Sequence, residues 1–218
     1  MSSLIFFTEK EQVLTATDTL AVSPDGKPFM FTTKAFILPH LQMMMCGTGM
    51  GGFLGKWFIE VNDRMIVRDI DNLDYHTPQI LRSFWQKFTK EYPLSANMTT
   101  TVYHFGFSED DGSIHSYAYR SINDFVSETL SYGIGVKPEC NLVENLEFPK
   151  AIKKLMDEQR AIQLSHPENE RVYIGGKIQI IHLTKSGFAV YTLEQFDDFE
   201  STQRTIYQNY ASQNINTD

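Results

Sequence analysis

Two short stretches decide how this chain is interpreted: VLTATDT, residues 13–19, and FTTKAF, residues 31–36. Both are rich in β-branched and apolar residues, which is typical of strands. Each carries one charge, Asp18 in the first stretch and Lys34 in the second. A charge in a strand is usually exposed to solvent, so the question is whether these two charges face water or belong to a common site.

The surrounding sequence predicts further strands. Apolar and β-branched runs separated by turn residues occur on both sides of the two stretches. Alternation between apolar and polar residues is poor in most of these runs, which favours strands that are covered on both faces. The runs are LIFFT (4–8), FMFTTKAFIL (29–38), LQMMMCG (41–47), TTTVYHFGF (99–107), IHSYAYR (114–120), KIQIIHLT (177–184) and FAVYTL (188–193).

Helical periodicity appears in three places. Phe53, Leu54, Trp57, Phe58 and Val61 fall on one face of a helix that follows the glycine-rich segment 47–52. A second helix is predicted with Thr77 as its N-cap and Pro78 at its first position, because both residue types favour those places. A third is predicted from Pro149 to Gln163. Its inner face consists of Ile152, Leu155, Met156 and Gln159.

The order of these elements predicts an α+β fold. Strands, two helices, more strands, a helix and two strands are satisfied by two antiparallel sheets packed face to face between outer helices, a four-layer α-β-β-α sandwich. The length of 218 residues suits one domain, so we expect residues 1–218 to form a single unit, with a polar tail from about residue 196.

Composition excludes several classes of partner. A net charge of −8 argues against nucleic acid and against anionic membrane surfaces, since both would repel the chain. No apolar run approaches the length of a membrane span, and LIFF is too short for the core of a signal peptide. Cys46 and Cys140 lack the spacing of a disulfide framework or a zinc site. We therefore expect a cytoplasmic protein without a metal or cofactor, or a virion-associated one if a phage encodes it.

The positions of the two charges resemble those of the N-terminal-nucleophile hydrolases, in particular the proteasome β-subunit. In that family the mature chain begins with its nucleophile, an Asp follows sixteen residues later and a Lys thirty-two residues later. If Met1 is removed, Ser2 is the first residue, and Asp18 and Lys34 lie at these two separations. Gly49, in CGTGMGG, corresponds with one inserted residue to the family's glycine before the first helix. The resemblance implies the same four-layer fold and a homo-oligomer or ring.

The resemblance also assigns chemistry to these residues. A serine hydroxyl needs a base, and a free α-amino group, with a reference pKa of about 7.7–8.0, can serve at neutral pH. Ser2 is thus expected to supply both nucleophile and base for hydrolysis of a peptide or amide. Lys34 would tune the amine, Asp18 would hold Lys34, and the N–H of Gly49 would stabilise the oxyanion.

Three positions depart from the family's pattern. Ile134, Arg171 and Ile174 stand where the proteasome has a Ser, an Asp and a second Ser around the terminal amine. These departures favour an alternative, a catalytically inactive subunit of a cellular or phage assembly. A small-amide acylase is a third alternative. The catalytic mechanism also depends on removal of Met1, because a retained methionine would leave Ser2 without a free amine.

Overall fold

A computed structural model of the chain describes residues 2–92, 98–141 and 147–214. In these residues it contains twelve strands, four α-helices and two short 3-10 helices. The strands are β1 (Leu4–Thr8), β2 (Gln12–Asp18), β3 (Leu20–Val22), β4 (Pro28–Phe31), β5 (Ala35–Leu38), β6 (Met43–Gly49), β7 (Thr100–Phe107), β8 (Ile114–Arg120), β9 (Ser127–Thr129), β10 (Gly133–Lys137), β11 (Lys177–Thr184) and β12 (Gly187–Gln195). The helices are α1 (Phe53–Arg64), α2 (Ile70–Glu91), α3 (Ala151–Leu164) and α4 (Phe199–Asn214).

Among the described residues the strands form three antiparallel sheets. The first has the order β10-β1-β2-β11-β12, the second has the order β5-β6-β7-β8-β9, and β3 and β4 form a separate hairpin. The predicted α+β class is therefore confirmed. Every strand run predicted from the sequence corresponds to one of these strands, and the run 29–38 divides into β4 and β5.

Strand β6 shows why alternation was poor in the sequence. Met44 packs in a central cluster that joins both sheets, together with Leu4, Phe6 and Phe105. Its neighbours Met43 and Met45 point the other way, into a cluster with α1 and α2. Because both faces of the strand are buried, both faces must be apolar. Each fully buried methionine contributes roughly 1.5–3 kcal/mol to folding.

Helices pack against both five-stranded sheets. Phe53, Trp57 and Val61 of α1 pack with α2 on the second sheet. Ile152, Leu155 and Met156 of α3 pack on the first sheet in a third cluster. The apolar stripes predicted for these helices are the buried faces in the structure.

The predicted start of the second helix was wrong. Helix α2 begins at Ile70, and its N-cap is Asp69, whose side chain accepts a hydrogen bond from the backbone N–H of Asn72 at 2.9 Å. Pro78 lies inside the helix and removes only one backbone hydrogen bond. The extra turns persist because Ile70 and Leu73 are fully buried, so tertiary packing outweighs the proline signal.

The polar tail predicted from about residue 196 is mostly helical. It contains α4, whose first residue, Phe199, stacks on Phe31 of β4 with ring centroids 4.9 Å apart. None of the helices in the described parts of the chain is both long and apolar enough to cross a membrane.

Candidate active site

The antiparallel pairing of β1, β2 and β11 brings the start of the chain to the site. Leu4 lies opposite Thr17, and Asp18 lies opposite Ile178. The beginning of β1, the end of β2 and the beginning of β11 therefore lie side by side, where these three central strands of the first sheet start or finish. Ser3, Asp18 and the pair Gly175–Gly176 lie at this end of the strands, which we call the Ser2 end.

Asp18 and Lys34 form a buried ion pair. The Lys34 Nζ donates to Asp18 Oδ1 at 2.8 Å and to the carbonyl oxygen of Leu20 at 2.6 Å. The side chain of Asp18 is 0% exposed and that of Lys34 is 9% exposed. A charge removed from water is tolerated only when it is paired and hydrogen-bonded, and both conditions hold here. The charges of Asp18 and Lys34 therefore do not face solvent, and the two side chains belong to a common site.

The Asp18 carboxylate also holds the backbone that follows Ser2. Oδ1 accepts from the Ser3 N–H at 2.9 Å, and Oδ2 accepts from the Gly175 N–H at 3.1 Å. One carboxylate oxygen therefore contacts both the Lys34 ammonium and the peptide bond between Ser2 and Ser3. Ser2 itself is partly buried and makes no side-chain hydrogen bond to another described residue. Met1 lies outside the described residues.

Three residues at the Ser2 end were not predicted from the sequence: Ser3, Gln159 and Gly175. The Ser3 hydroxyl donates to Gln159 Oε1 at 2.6 Å, and Gln159 Nε2 donates to the carbonyl oxygen of Pro138. Ser3 and Gln159 are both fully buried. The only signal in the sequence was a glutamine on the inner face of α3, where an apolar residue is the usual choice.

Gly49 is positioned by the backbone of the second sheet. Its φ is +102°, and a Cβ atom there would lie 2.1 Å from the carbonyl oxygen of Thr99. Only glycine fits such a conformation and such a contact without strain. Gly49 ends β6 and is followed by Gly51 and Gly52 before α1 begins. Packing against Thr99 is sufficient to explain the glycine, and its role toward an oxyanion stays a prediction.

The three departures from the family's pattern have structural partners of their own. Arg171 donates to the carbonyl oxygens of Gln163, Leu164 and His166 at 3.0–3.2 Å, so it caps the C-terminal end of α3. Ile174 is 4% exposed and packs in the α3 cluster. Ile134 lies on the edge strand β10, opposite Phe7. The structure places no hydroxyl at these positions.

The histidines of β7 and β8 do not converge on a common centre. His104 is buried, and burial lowers its pKa to about 3, so it is neutral and accepts from Trp57 Nε1 at 3.0 Å. His115 contacts Asp71 at 2.7 Å. The described residues contain no group of three or more His, Cys, Asp or Glu side chains arranged to hold a metal. Burial raises the pKa of the Cys46 thiol, and both cysteines are free.

The chain has a proteasome-like fold, which it shares with known structures. Two similar solved structures are titled "Anbu (Gly-1) mutant from Hyphomicrobium sp. strain MC1" and "Anbu (ancestral beta-subunit) from Yersinia bercovieri". The first has a TM-score of 0.60 and 9% identity, and the match covers 100% of this chain and 98% of that one. The second has a TM-score of 0.58 and 9% identity, and the match covers 99% and 95%.

These comparisons correct the family assignment made from the sequence. No family model matches the chain, and no curated protein does. An identity of 9% shows a shared fold alone, so the prediction that the chain is a member of the N-terminal-nucleophile hydrolases, close to the proteasome β-subunit, was wrong as a statement of family. The finding that replaces it is a fold in common with Anbu.

Proposed function

We propose that this chain is a peptidase or amidohydrolase whose nucleophile is Ser2 after removal of Met1. The observation that carries the proposal is the Asp18 carboxylate, which joins the buried Lys34 ammonium to the peptide bond directly after Ser2. An ammonium held at this place favours the neutral form of a nearby α-amine, as a general base requires.

The proposed reaction uses the terminus twice. The α-amine takes the proton of the Ser2 hydroxyl while Oγ attacks the carbonyl carbon of the substrate, and the Gly49 N–H donates to the resulting oxyanion. The intermediate then collapses to an ester on Ser2, and the ammonium returns its proton to the departing amine. Water, deprotonated by the same amine, hydrolyses the ester and releases the acid and free Ser2.

We also propose the finer architecture that this chemistry requires. The three apolar clusters support the arrangement of helices, two stacked sheets and helices as an α-β-β-α sandwich over residues 1–218. The chain would act as a homo-oligomer or ring in the cytoplasm, with α1 and α2 as contact surfaces, and would bind neither nucleic acid nor membrane. Size-exclusion chromatography with light scattering tests the assembly, since a monomer at high concentration would contradict it.

A second candidate is a non-catalytic subunit, and two residues favour it. Arg171 is committed to the end of α3, and Ile174 is committed to a core cluster. Neither can take part in a hydroxyl relay around the terminal amine. In this case the Asp18–Lys34 pair would be retained because breaking a buried pair is costly.

The two candidates are separated by the state of the N-terminus and by the Ser2 hydroxyl. The first measurement is the intact mass of the native protein, where loss of Met1 is expected. The second is hydrolysis of blocked peptide anilides and small amides by the wild type, Ser2→Ala and Ser3→Ala. Alanine at position 2 is also small, so methionine removal is unaffected.

We expect no hydrolysis by Ser2→Ala and measurable hydrolysis by Ser3→Ala, whose lost hydroxyl contacts only Gln159. A peptide electrophile should label residue 2 of the wild type. Retention of Met1, or equal activity of the wild type and Ser2→Ala, would contradict the proposal. An unlabelled and inactive protein would support the non-catalytic candidate. Cleavage of small amides but not of peptides would identify an acylase.

A further inference from the structure

A cavity of about 280 Å³ lies directly beside the Ser2 end. It is formed where the end of β4 and the segment that follows it meet β11 and α4. Two of its lining residues adjoin the ion pair in sequence, since Thr19 follows Asp18 and Thr33 precedes Lys34. The cavity therefore adjoins the two segments that carry the ion pair, while Ser2, Asp18 and Lys34 themselves are not among its lining residues.

The walls of the cavity are fixed by packing. Phe31 and Phe199 stack with an interplanar angle of 20°. Gly176, with φ +83°, lies against Phe31, and a Cβ atom there would come within 2.9 Å of the ring and 2.3 Å of Thr19 Oγ1. Thr19 Oγ1 in turn accepts from the Lys177 N–H at 2.8 Å. The cavity is thus preformed rather than a gap between loose side chains.

The charge of the cavity is positive and uncompensated. Of the eight described residues that line it, Lys177 is the only charged one, and the others are phenylalanine, threonine or glutamine. The Lys177 Nζ lies 5.0 Å from the centroid of Phe199, and no carboxylate in the described part of the chain is within ion-pair distance of it. Lys177 is an exposed residue, so its ammonium is accessible to a ligand from solvent.

The first turn of α4 adds to this charge. Phe199 is the first residue of α4, so the positive end of the helix dipole lies at the cavity. Of the acidic residues around that turn, Asp198 contacts Arg160, and Glu200 lies 3.8 Å from Arg204. Asp197 has no ion pair among the described residues and does not come within ion-pair distance of Lys177.

A larger cavity, of about 710 Å³, lies at the opposite end of the sheets and differs in this respect. The arginine and the lysine that line this larger cavity both form ion pairs. Arg68 contacts Asp69, Glu109 and Asp110, and Lys185 contacts Glu11. Of these two cavities, the one at the Ser2 end is lined by a lysine that has no carboxylate partner among the described residues.

We propose that the cavity at the Ser2 end binds a carboxylate of the substrate through Lys177, so that the chain acts on acidic peptides or acyl amides. This inference rests on the proposed function, and it adds the class of substrate. The carboxylate would accept from Lys177 Nζ, while the hydroxyl of Thr19 and the amides of Gln179 and Gln203 offer further donors, since Thr32 and Thr33 already donate to backbone carbonyls. The stacked phenylalanine rings would pack on the methylene groups of a glutamate side chain.

The test separates binding from catalysis by use of Ser2→Ala protein, which cannot turn over. The probes are two blocked peptide anilides, identical except for Glu or Gln beside the anilide, and their binding is measured by calorimetry at low and high salt. We expect the Glu peptide to bind about tenfold tighter than the Gln peptide, with the preference weakened by salt. Lys177→Gln should abolish the preference.

The matched control is Lys185→Gln, at the other end of the same strand, which should keep the preference because Lys185 faces Glu11. Equal binding of the two peptides, or a preference that survives Lys177→Gln, would overturn the inference. Hydrolysis assays with wild-type protein report on the proposed function separately. A Glu preference in binding together with no hydrolysis would uphold this site and reject the catalytic role of Ser2.

Discussion

The two ends of the sheets use similar charged residues in different ways. At the Ser2 end a single pair, Asp18 and Lys34, is almost completely removed from water. At the opposite end Arg68 is 53% exposed and shares its charge among three carboxylates. Nearby, Asp71 accepts from Tyr117 and contacts His115. At the Ser2 end one ion pair is buried, and at the opposite end several charged side chains lie beside solvent.

From this difference we expect burial, rather than the number of ion pairs, to decide how far the loss of a charged residue lowers the free energy of unfolding. Exposed pairs are screened by water and salt, and the loss of one member leaves a solvated partner. A buried pair that loses one member leaves an uncompensated charge in the interior. The Ser2 end should therefore tolerate few substitutions, and the opposite end should tolerate many.

The largest effect is expected from Asp18→Asn. The substitution keeps the size of the side chain but leaves the buried Lys34 ammonium without its counter-charge. We expect a loss of about 3–5 kcal/mol in the free energy of unfolding. Urea or thermal unfolding of the purified protein measures it, and a variant too unstable to purify agrees with the same direction.

Asp110→Asn provides the comparison from the opposite end. Its carboxylate contacts Arg68 and is 72% exposed, so no measurable change in stability is expected. If Asp18→Asn and Asp110→Asn had the same small effect, the distinction between the two ends would fail.

The next largest effect is expected from Gly49→Ala. Alanine at this position would adopt a positive φ, and its Cβ would collide with the backbone of Thr99. We expect about 2–4 kcal/mol of destabilisation from the combination of strain and overlap. Gly51→Ala is the matched control, because nothing lies within 4 Å of a Cβ there and its φ is not positive. A Gly49→Ala protein as stable as Gly51→Ala would show that the backbone at this edge is free to shift.

The pairing of Asp18 and Lys34 could be predicted from the sequence through the resemblance to the N-terminal-nucleophile hydrolases, which have an Asp and a Lys at these separations. In the structure Asp18 ends β2, Lys34 lies directly before β5, and their side chains meet. Strand runs were recognisable because apolar, β-branched residues between turns leave few alternatives. The fold class followed from the order of these elements.

The remaining features depend on long-range contacts that leave no local pattern. Ser3 and Gln159 are 156 residues apart, and neither carries a motif. For the start of α2, Asp69 is a local N-cap signal but Thr77 and Pro78 give a competing one, and only the burial of Ile70 and Leu73 decides between them. Arg171 was compared with a catalytic aspartate, whereas the structure ties it to the end of α3.

A smaller effect is expected from Arg171→Ala, which tests whether this residue serves α3 rather than Ser2. The last carbonyl groups of a helix lack intrahelical donors, and Arg171 supplies three hydrogen bonds to this region. Since water can replace part of them, we expect a loss of about 1–2 kcal/mol in stability. Hydrolytic activity per folded molecule should not change.

Arg204→Ala is the control for removal of an arginine from a helix. Arg204 lies 3.8 Å from Glu200 and is 75% exposed, so unfolding should be unchanged. A large fall in activity of Arg171→Ala without a change in stability would place Arg171 in the chemistry of the site, contrary to the structure.

The smallest effect is expected from His115→Gln, and it depends on pH. Burial disfavours the charged imidazole, but the hydrogen bond and charge of Asp71, with a further contribution from Asp111, outweigh it and raise the pKa of His115. A raised pKa stabilises the folded state at pH values below the unfolded pKa of about 6.5, and this stability is lost as the pH rises through the folded pKa. The wild type should therefore be more stable than His115→Gln at pH 5.5, and this difference in the free energy of unfolding should shrink at pH 8.5. Because the side chain is one-third exposed, we expect the difference at pH 5.5 to be less than about 1 kcal/mol.

Tyr117→Phe is the control, because it removes another hydrogen bond to the same carboxylate without a change of charge between these pH values. The pKa of Tyr117 is raised by burial and by Asp71, so its hydroxyl stays neutral in this range. The effect of Tyr117→Phe on stability should be equal at both pH values. If both variants gave the same difference at pH 5.5 and 8.5, then the charge on His115 would contribute nothing, and the opposite end would be held by hydrogen bonds alone.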